Sequence, residues 1–216
     1  MKSGKEPERF RVIQPQRFAE KNSLLITDRK TAKEISAAVL AEEKIACYIN
    51  FPQYHISGKI PENLIICSTL SETDAYRYRI IISDNTGLAE KGKASLRPYV
   101  EGARKEGTLL LKPKNITAGI GCRKGISEEI LEEGVDQILK IHGLEIGQVE
   151  RIASIDLKKE EQALLDFSEK YRIPLYIYTA DELGKIQGVT AGSEFVKKTT
   201  GVDNVCERAA LLCCEN

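Results

Sequence analysis

The sequence has no surplus charge of either sign. Lysine plus arginine number 32 and aspartate plus glutamate number 32. No global field therefore recruits a nucleic acid or a membrane surface, and any anion must be met by a local arrangement. No uninterrupted apolar run approaches the roughly 20 residues that a membrane span needs. The opening "MKSGKEPERFRVIQPQRF" lacks the apolar centre of a signal peptide. Six cysteines (Cys47, Cys67, Cys122, Cys206, Cys213 and Cys214) include no CxxC pair. With no export signal they read as free thiols of a reducing cytoplasm. There is no GxxxxGK[ST] phosphate loop, and histidine occurs only twice, at His55 and His142.

What is present is an ordinary globular balance, 42% hydrophobic and 30% charged, over 216 residues. That length suits one large domain or two small ones. Residues 1–22 are polar and read as a flexible lead-in. "SLLITD", "IACYINF", "NLIICSTL" and "YRIIIS" are strand-like, with helical spacing in "TAKEISAAVLAEEK". Residues 88–107 read as an exposed loop or frayed helix. From "NITAGIG" onward the rhythm is cleaner. That strand leads to helix "SEEILEEGVDQILKIHG", "VERIASID" leads to "KKEEQALLDFSEKYR", and "PLYIYT" leads to "ADELGKI". Two further helical segments, "SEFVKKTT" and "VCERAALLCC", follow. The expectation is α/β in two small domains, 23–113 and 114–216. The second is a mainly parallel sheet covered by helices on both faces.

Ligands of open parallel sheets sit beyond the carboxyl ends of the strands. Three such ends can be read: "GIGCRKG", "ASIDLK" and "IYTADE". In the first, Gly119, Gly121 and Gly125 surround Cys122, Arg123 and Lys124, and Ser127 opens an acidic helix. Backbone N–H groups near a helix N-terminus favour anions, and Arg123 can clamp a carboxylate or phosphate through two hydrogen bonds. The same residues also fit a purely structural turn. There the glycines supply dihedrals or close packing, Ser127 is an N-cap, and Glu128 and Glu129 complement the helix dipole. Lys124 stands where a dinucleotide fingerprint needs its third glycine, which argues against a nucleotide site.

Several motifs in order bear a family likeness. "LLLKPKNITAGIGCRKG", "IASIDLKKEEQALLDFSEKYRIPLYIYTADEL" and "SEFVKKTTGVDNVCERAALL" together resemble CbiG, the cobalt-precorrin-5A hydrolase family of anaerobic cobalamin biosynthesis. The strong part covers residues 109–212. It corresponds to the family's C-terminal domain, shared with CobE, and residues 23–108 resemble its central region more loosely. The resemblance implies a cobalt-containing tetrapyrrole-derived substrate fringed with carboxylates. Its lactone would be opened with loss of acetaldehyde to give cobalt-precorrin-5B. No separate cofactor is implied, because the cobalt arrives inside the substrate. Gly119, Gly121, Cys122, Arg123, Lys124, Gly125 and Ser127 would then hold peripheral carboxylates, with Arg123 and Lys124 as positioners.

Lactone opening needs a general base and an oxyanion stabiliser. Asp156, at a strand end, is the first candidate base, and capping the helix after "DLKK" is its alternative role. Glu194 is the second candidate. Backbone N–H groups around Gly121 and Cys122 are candidate oxyanion donors. Cys122 invites a nucleophile reading, since a helix N-terminus and basic neighbours lower a thiol pKa, but neither histidine lies in a motif that pairs with it, and small-residue packing is its default role. Cys213 and Cys214 are adjacent on a helix, point apart and make a poor chelate. Tyr176 and Tyr178 are candidates for stacking on a macrocycle, or for strand core. Against the family pattern the chain looks clipped at both ends. That leaves open a corrinoid-binding subunit working with a separate N-terminal domain, and a homo-oligomer is also compatible.

Overall fold

The computed structural model describes residues 12–51, 54–83, 105–190 and 192–215. The chain divides into two compact units, Met1–Pro113 and Lys114–Asn216. Both are mixed α/β.

The first unit holds helix α1 (Pro15–Lys21), strand β1 (Leu24–Ile26), helix α2 (Arg29–Leu40) and strands β2 (Ile45–Asn50), β3 (Leu64–Cys67), β4 (Tyr78–Ser83) and β5 (Thr108–Pro113). They form one sheet in the order β1-β5-β4-β2-β3. Only the β1–β5 pair is antiparallel. The inner strands β4 and β5 are buried along almost their whole length, which is why they read as continuous apolar runs rather than alternating ones. Asp28 caps α2 by accepting from the N–H groups of Lys30 and Thr31. That helix stops at Leu40, short of the expected Lys44, and Glu42 takes a positive φ of 61° in the turn that follows.

The expected lead-in is not one over its described part. Residues 15–21 form α1, with Pro15 at the helix start, and Ile13, Phe18 and Ala19 lie in the core beside Ile35 and Leu24. The polar surface of this segment hid three apolar anchors, whose burial outweighs the cost of ordering the chain. Residues 1–11 lie outside the described residues, as does most of the loop expected at 88–107.

The second unit is built on strands β6 (Ile116–Gly119), β7 (Val149–Ile155) and β8 (Leu175–Tyr178), paired in parallel in that order. Helices α3 (Glu128–Ile141) and α4 (Gln162–Tyr171) make the two crossovers. Leu131, Leu139, Leu164 and Phe167 from these helices pack with Ile152 on one face. On the other face, Ala153 and Ile155 meet Leu183 of α5 (Ala180–Gly184) and Val205, Ala209 and Cys213 of α7 (Val205–Glu215). A short helix α6 (Glu194–Thr200) lies between α5 and α7 in the chain. The sheet is thus parallel and covered on both faces, as its strand–helix alternation predicts. The second crossover helix starts later than expected, since Asp156–Lys158 form a single 3-10 turn and α4 begins only at Gln162.

Candidate functional site

Parallel pairing brings the carboxyl ends of β6, β7 and β8 to one end of the sheet. Gly119 sits opposite Ala153, the Ile120 N–H donates to the Ala153 carbonyl at 2.8 Å, and the Ser154 hydroxyl donates to the Ile120 carbonyl at 2.7 Å. The Gly121–Gly125 turn and the Asp156–Lys158 turn therefore leave the sheet side by side. Both precede helices on the α3/α4 face.

Each glycine of the turn has its own reason. A Cβ on Gly119 would lie 1.7 Å from the Cys206 carbonyl oxygen, so β6 and the first turn of α7 approach too closely for any side chain. At Gly121 a Cβ would come within 2.9 Å of the Cys206 sulfur. Gly125 has open space around it but a φ of +72°, the left-handed region that suits glycine. Gly119 and Gly121 thus answer to packing against α7, and Gly125 to turn conformation. Ser127 caps α3, its hydroxyl oxygen accepting from the Ile130 N–H at 3.4 Å. Arg123 and Lys124, between these fixed points, are exposed.

A clamp that the sequence did not disclose holds the turn from across the strand ends. Glu161, the N-cap residue of α4, accepts from the Gly125 N–H at 2.8 Å through Oε1. Its Oε2 accepts from Lys158 Nζ at 3.1 Å. Both side chains are largely buried, at 13% exposure for Lys158 and 8% for Glu161. Lys158, and then the Gly125 N–H, hold the Glu161 carboxyl below the usual carboxylate range. The Lys–Glu spacing was visible in "KKEE", but its partner at Gly125 was not.

Asp156, half-buried, directly follows β7 and opens the 3-10 turn. It does not cap the following helix, which begins beyond it after Glu161. Glu194 is exposed in the first turn of α6, far in sequence from the glycine turn. The surroundings of Cys122 oppose activation of its thiol. Burial pushes its pKa up, Lys158 offsets this in part, and Glu161 and Cys206 push it up further. A thiol held in its neutral form is a poor nucleophile. Cys206 is likewise raised by burial, against a lowering hydrogen bond from the Gly121 N–H. Among the described residues no group of three His, Cys, Asp or Glu side chains is arranged to hold a metal ion, and all six cysteines are free. Tyr178 packs against the α5/α7 core, whereas Tyr176 is exposed. His142 follows α3 directly as its C-cap, and His55 is exposed.

The "V-x-E-x-A-A-L" segment organises the adjoining loop. Glu207 accepts from the Thr190 N–H at 3.0 Å and from Asn204 Nδ2 at 3.0 Å. Arg208 donates to Asp203 and to the carbonyls of Leu183 and Ile186. These contacts tie the start of α7, whose Cys206 lies against Gly119 and Gly121, to the segments on either side of it.

The family described as "Cobalamin synthesis G C-terminus" matches residues 116–216, the same stretch that carries the three-stranded sheet and the glycine turn. The second unit belongs to this family. A cobalt-precorrin-5A hydrolase of Priestia megaterium is 28% identical over 182 residues, which is 82% of this chain and 46% of the relative. A probable cobalt-precorrin-5A hydrolase of Methanocaldococcus jannaschii is 34% identical over 107 residues, 49% of this chain and 33% of the relative. The solved structure of CobE, a protein of the cobalamin biosynthetic pathway, aligns at 31% identity and a TM-score of 0.44. That alignment covers 46% of this chain and 70% of CobE. The chain spans less than half the length of either hydrolase. No helix among the described residues is long and apolar enough to cross a membrane.

Proposed function

We propose that this chain acts in cobalamin biosynthesis on cobalt-precorrin-5A, contributing to hydrolytic opening of its lactone with release of acetaldehyde. The observation that carries the reading is the placement of a family-matched glycine turn at the strand ends. It bears two exposed cations, and buried Glu161 anchors its far end through the Gly125 N–H. A macrocycle fringed with carboxylates is the ligand that such a turn suits. The guanidinium of Arg123 takes one carboxylate through two parallel hydrogen bonds and Lys124 takes another as a point charge. Of the backbone N–H groups around Gly121 and Cys122, that of Gly121 is taken up by the Cys206 sulfur, so the Cys122 N–H is the one offered to an oxyanion. Asp156, one strand over, is the carboxylate assigned to take a proton from the attacking water. Water adds to the lactone carbonyl and the acyl carbon–oxygen bond breaks, leaving a carboxylate and a hydroxyl on the two-carbon unit. That hydroxyl then loses its proton as its carbon becomes the aldehyde, and the broken carbon–carbon bond leaves its electron pair on the macrocycle, which takes up a proton.

A second reading has one observation in its favour, the share of the curated hydrolases that this chain leaves unmatched. In it these residues bind the corrinoid, and further sequence, on the same polypeptide or another, supplies the rest of the catalytic apparatus. One experiment separates them. The purified chain is mixed with cobalt-precorrin-5A, and both the absorbance spectrum and free acetaldehyde are followed. Acetaldehyde release that is lost in an Arg123→Ala, Lys124→Ala variant supports hydrolysis by this chain. A spectral shift without acetaldehyde supports the binding reading, and neither signal refutes both.

A further inference from the structure

Helix α3 is apolar over more of its circumference than the core uses. Leu131 and Leu139 are buried against Ile152, Leu164 and Phe167, and Val135 packs half-buried beside them. A second row runs next to that one. Ile130, Ile138 and Ile141 are 60%, 59% and 75% exposed. With Gly134 they recur at i, i+4, i+8 and i+11, which places all four along one stripe of the helix. On the other described helices, large side chains as exposed as these stand singly, as Leu40 does on α2 and Phe195 on α6. A row of exposed isoleucines is the pattern of a contact surface, whereas scattered single residues need no explanation.

Gly134 lies in the middle of the stripe. Glycine inside a helix destabilises it relative to alanine, and neither packing nor dihedral angle calls for it here. A Cβ would meet nothing within 4 Å, and Gly134 is not among the glycines of positive φ. Its effect is to lower the surface between Ile130 and Ile138. That leaves a notch where a second helix backbone can approach closely.

The charges along the stripe fix the sign of what can lie there. Glu128 and Glu132 pair with Lys170 of α4, and Asp136 pairs with Lys140. Glu129 and Glu133 are exposed and form no ion pair among the described residues. At i and i+4 these two carboxylates repel each other. A lysine or arginine laid between them relieves that repulsion, and a second copy of the same acidic helix would add to it.

We propose that the stripe of Ile130, Gly134, Ile138 and Ile141 docks an amphipathic helix of a partner protein. That helix is apolar where it meets the isoleucines and basic along the edge that meets Glu129 and Glu133. Apolar contact at the notch supplies the affinity, and the two carboxylates select the partner's charge. The inference is independent of the corrinoid reading, since none of these residues belongs to the glycine turn or to the strand end at Asp156.

The test uses the full chain and two fluorescently labelled synthetic helices. One carries a leucine stripe flanked by lysines, and its twin carries the same stripe flanked by glutamates. Fluorescence anisotropy gives a dissociation constant for each. Wild type is expected to bind the lysine helix roughly tenfold more tightly than the glutamate helix. An Ile130→Gln, Ile138→Gln variant should bind the lysine helix roughly tenfold more weakly, with its melting temperature unchanged because both side chains lie outside the core. Gly134→Ala should weaken the same binding while raising the melting temperature, which separates docking from fold stability. A Glu129→Lys, Glu133→Lys variant should prefer the glutamate helix. Lysine-helix binding that survives the isoleucine change overturns the proposal, because the attraction is then charge alone. Equal affinity of wild type for the two helices, or binding of neither, overturns it as well. So does sedimentation that finds wild type paired with itself and the isoleucine variant monomeric, since the occupant is then a second copy.

Discussion

The contact between Gly119 and Cys206 sets the second unit's two most recognisable motifs against each other, and a single methyl group tests it. In Gly119→Ala the new Cβ would stand 1.7 Å from the Cys206 carbonyl oxygen, 2.6 Å from its carbon and 3.2 Å from the Ala210 Cβ. Carbon atoms in contact prefer about 3.5 Å or more, so α7 would have to withdraw from β6 by more than about 1 Å. The obstacle is helix backbone, which cannot rotate aside as a flexible side chain would. Overpacking costs about 1–3 kcal/mol, and a backbone clash belongs at the upper end of that range. A loss of about 3 kcal/mol in a chain of this size lowers Tm by about 6–12 °C. The matched control is Gly134→Ala in the interior of α3, where a Cβ meets nothing within 4 Å. That change should stabilise by about 0.5–1 kcal/mol, because alanine gives up less backbone freedom on forming a helix. Circular dichroism melts of the two variants should move in opposite directions, and hydrogen exchange should place the Gly119→Ala effect in β6 and α7. A Gly119→Ala protein with wild-type Tm would refute the packing account of that glycine.

Two further predictions concern ionisable groups. The Glu161 carboxyl titrates below its ordinary value of 4.5, so its stabilisation is complete above that pH and is lost as pH falls through the lower folded-state value. Glu161→Gln keeps an acceptor for the Gly125 N–H but removes this proton linkage. Its urea midpoint should therefore fall less steeply than wild type between about pH 5 and about pH 3, and parallel curves would contradict the clamp. Among the thiols, Cys47 is fully buried, with its pKa pushed up to about 12 by burial and by Cys67, while Cys214 is exposed. Iodoacetamide at about pH 8 should label Cys214 long before Cys47, and peptide mass mapping that finds the reverse order would contradict the core described for the first unit.

The parallel sheet of the second unit was legible because β7 and the two crossover helices carry strong local signals. "VERIASID" is a compact apolar run, and α3 shows Ser127 before its acidic first turn and Gly143 after its end, at a φ of +67°. Helix α1 was not legible. Only Phe18 and Ala19 are apolar in "FAEK", and what fixes them is contact with a core assembled from distant segments. The same reason hid the site's support. Lys158 and Glu161 look like surface charges at helical spacing until the Gly125 N–H is brought to them by the pairing of β6 with β7. At Cys122 a sequence shows basic neighbours but not burial, and burial is the larger influence on its thiol. For Gly119 and Gly121, sequence left ligand contact and close packing both open. The separation of these glycines from Cys206 along the chain gave no means of choosing.

If carboxylates of a corrinoid are received at the Gly121–Gly125 turn, the amides of that turn must sense them. The most direct measurement is an amide chemical-shift map of the isotope-labelled chain during titration with cobyrinic acid. The predicted result is perturbation concentrated at Gly121, Cys122, Arg123 and Lys124, together with the Asp156–Lys158 turn. Perturbation confined to the opposite end of the sheet, around Glu150 and the residues after Pro174, would contradict it.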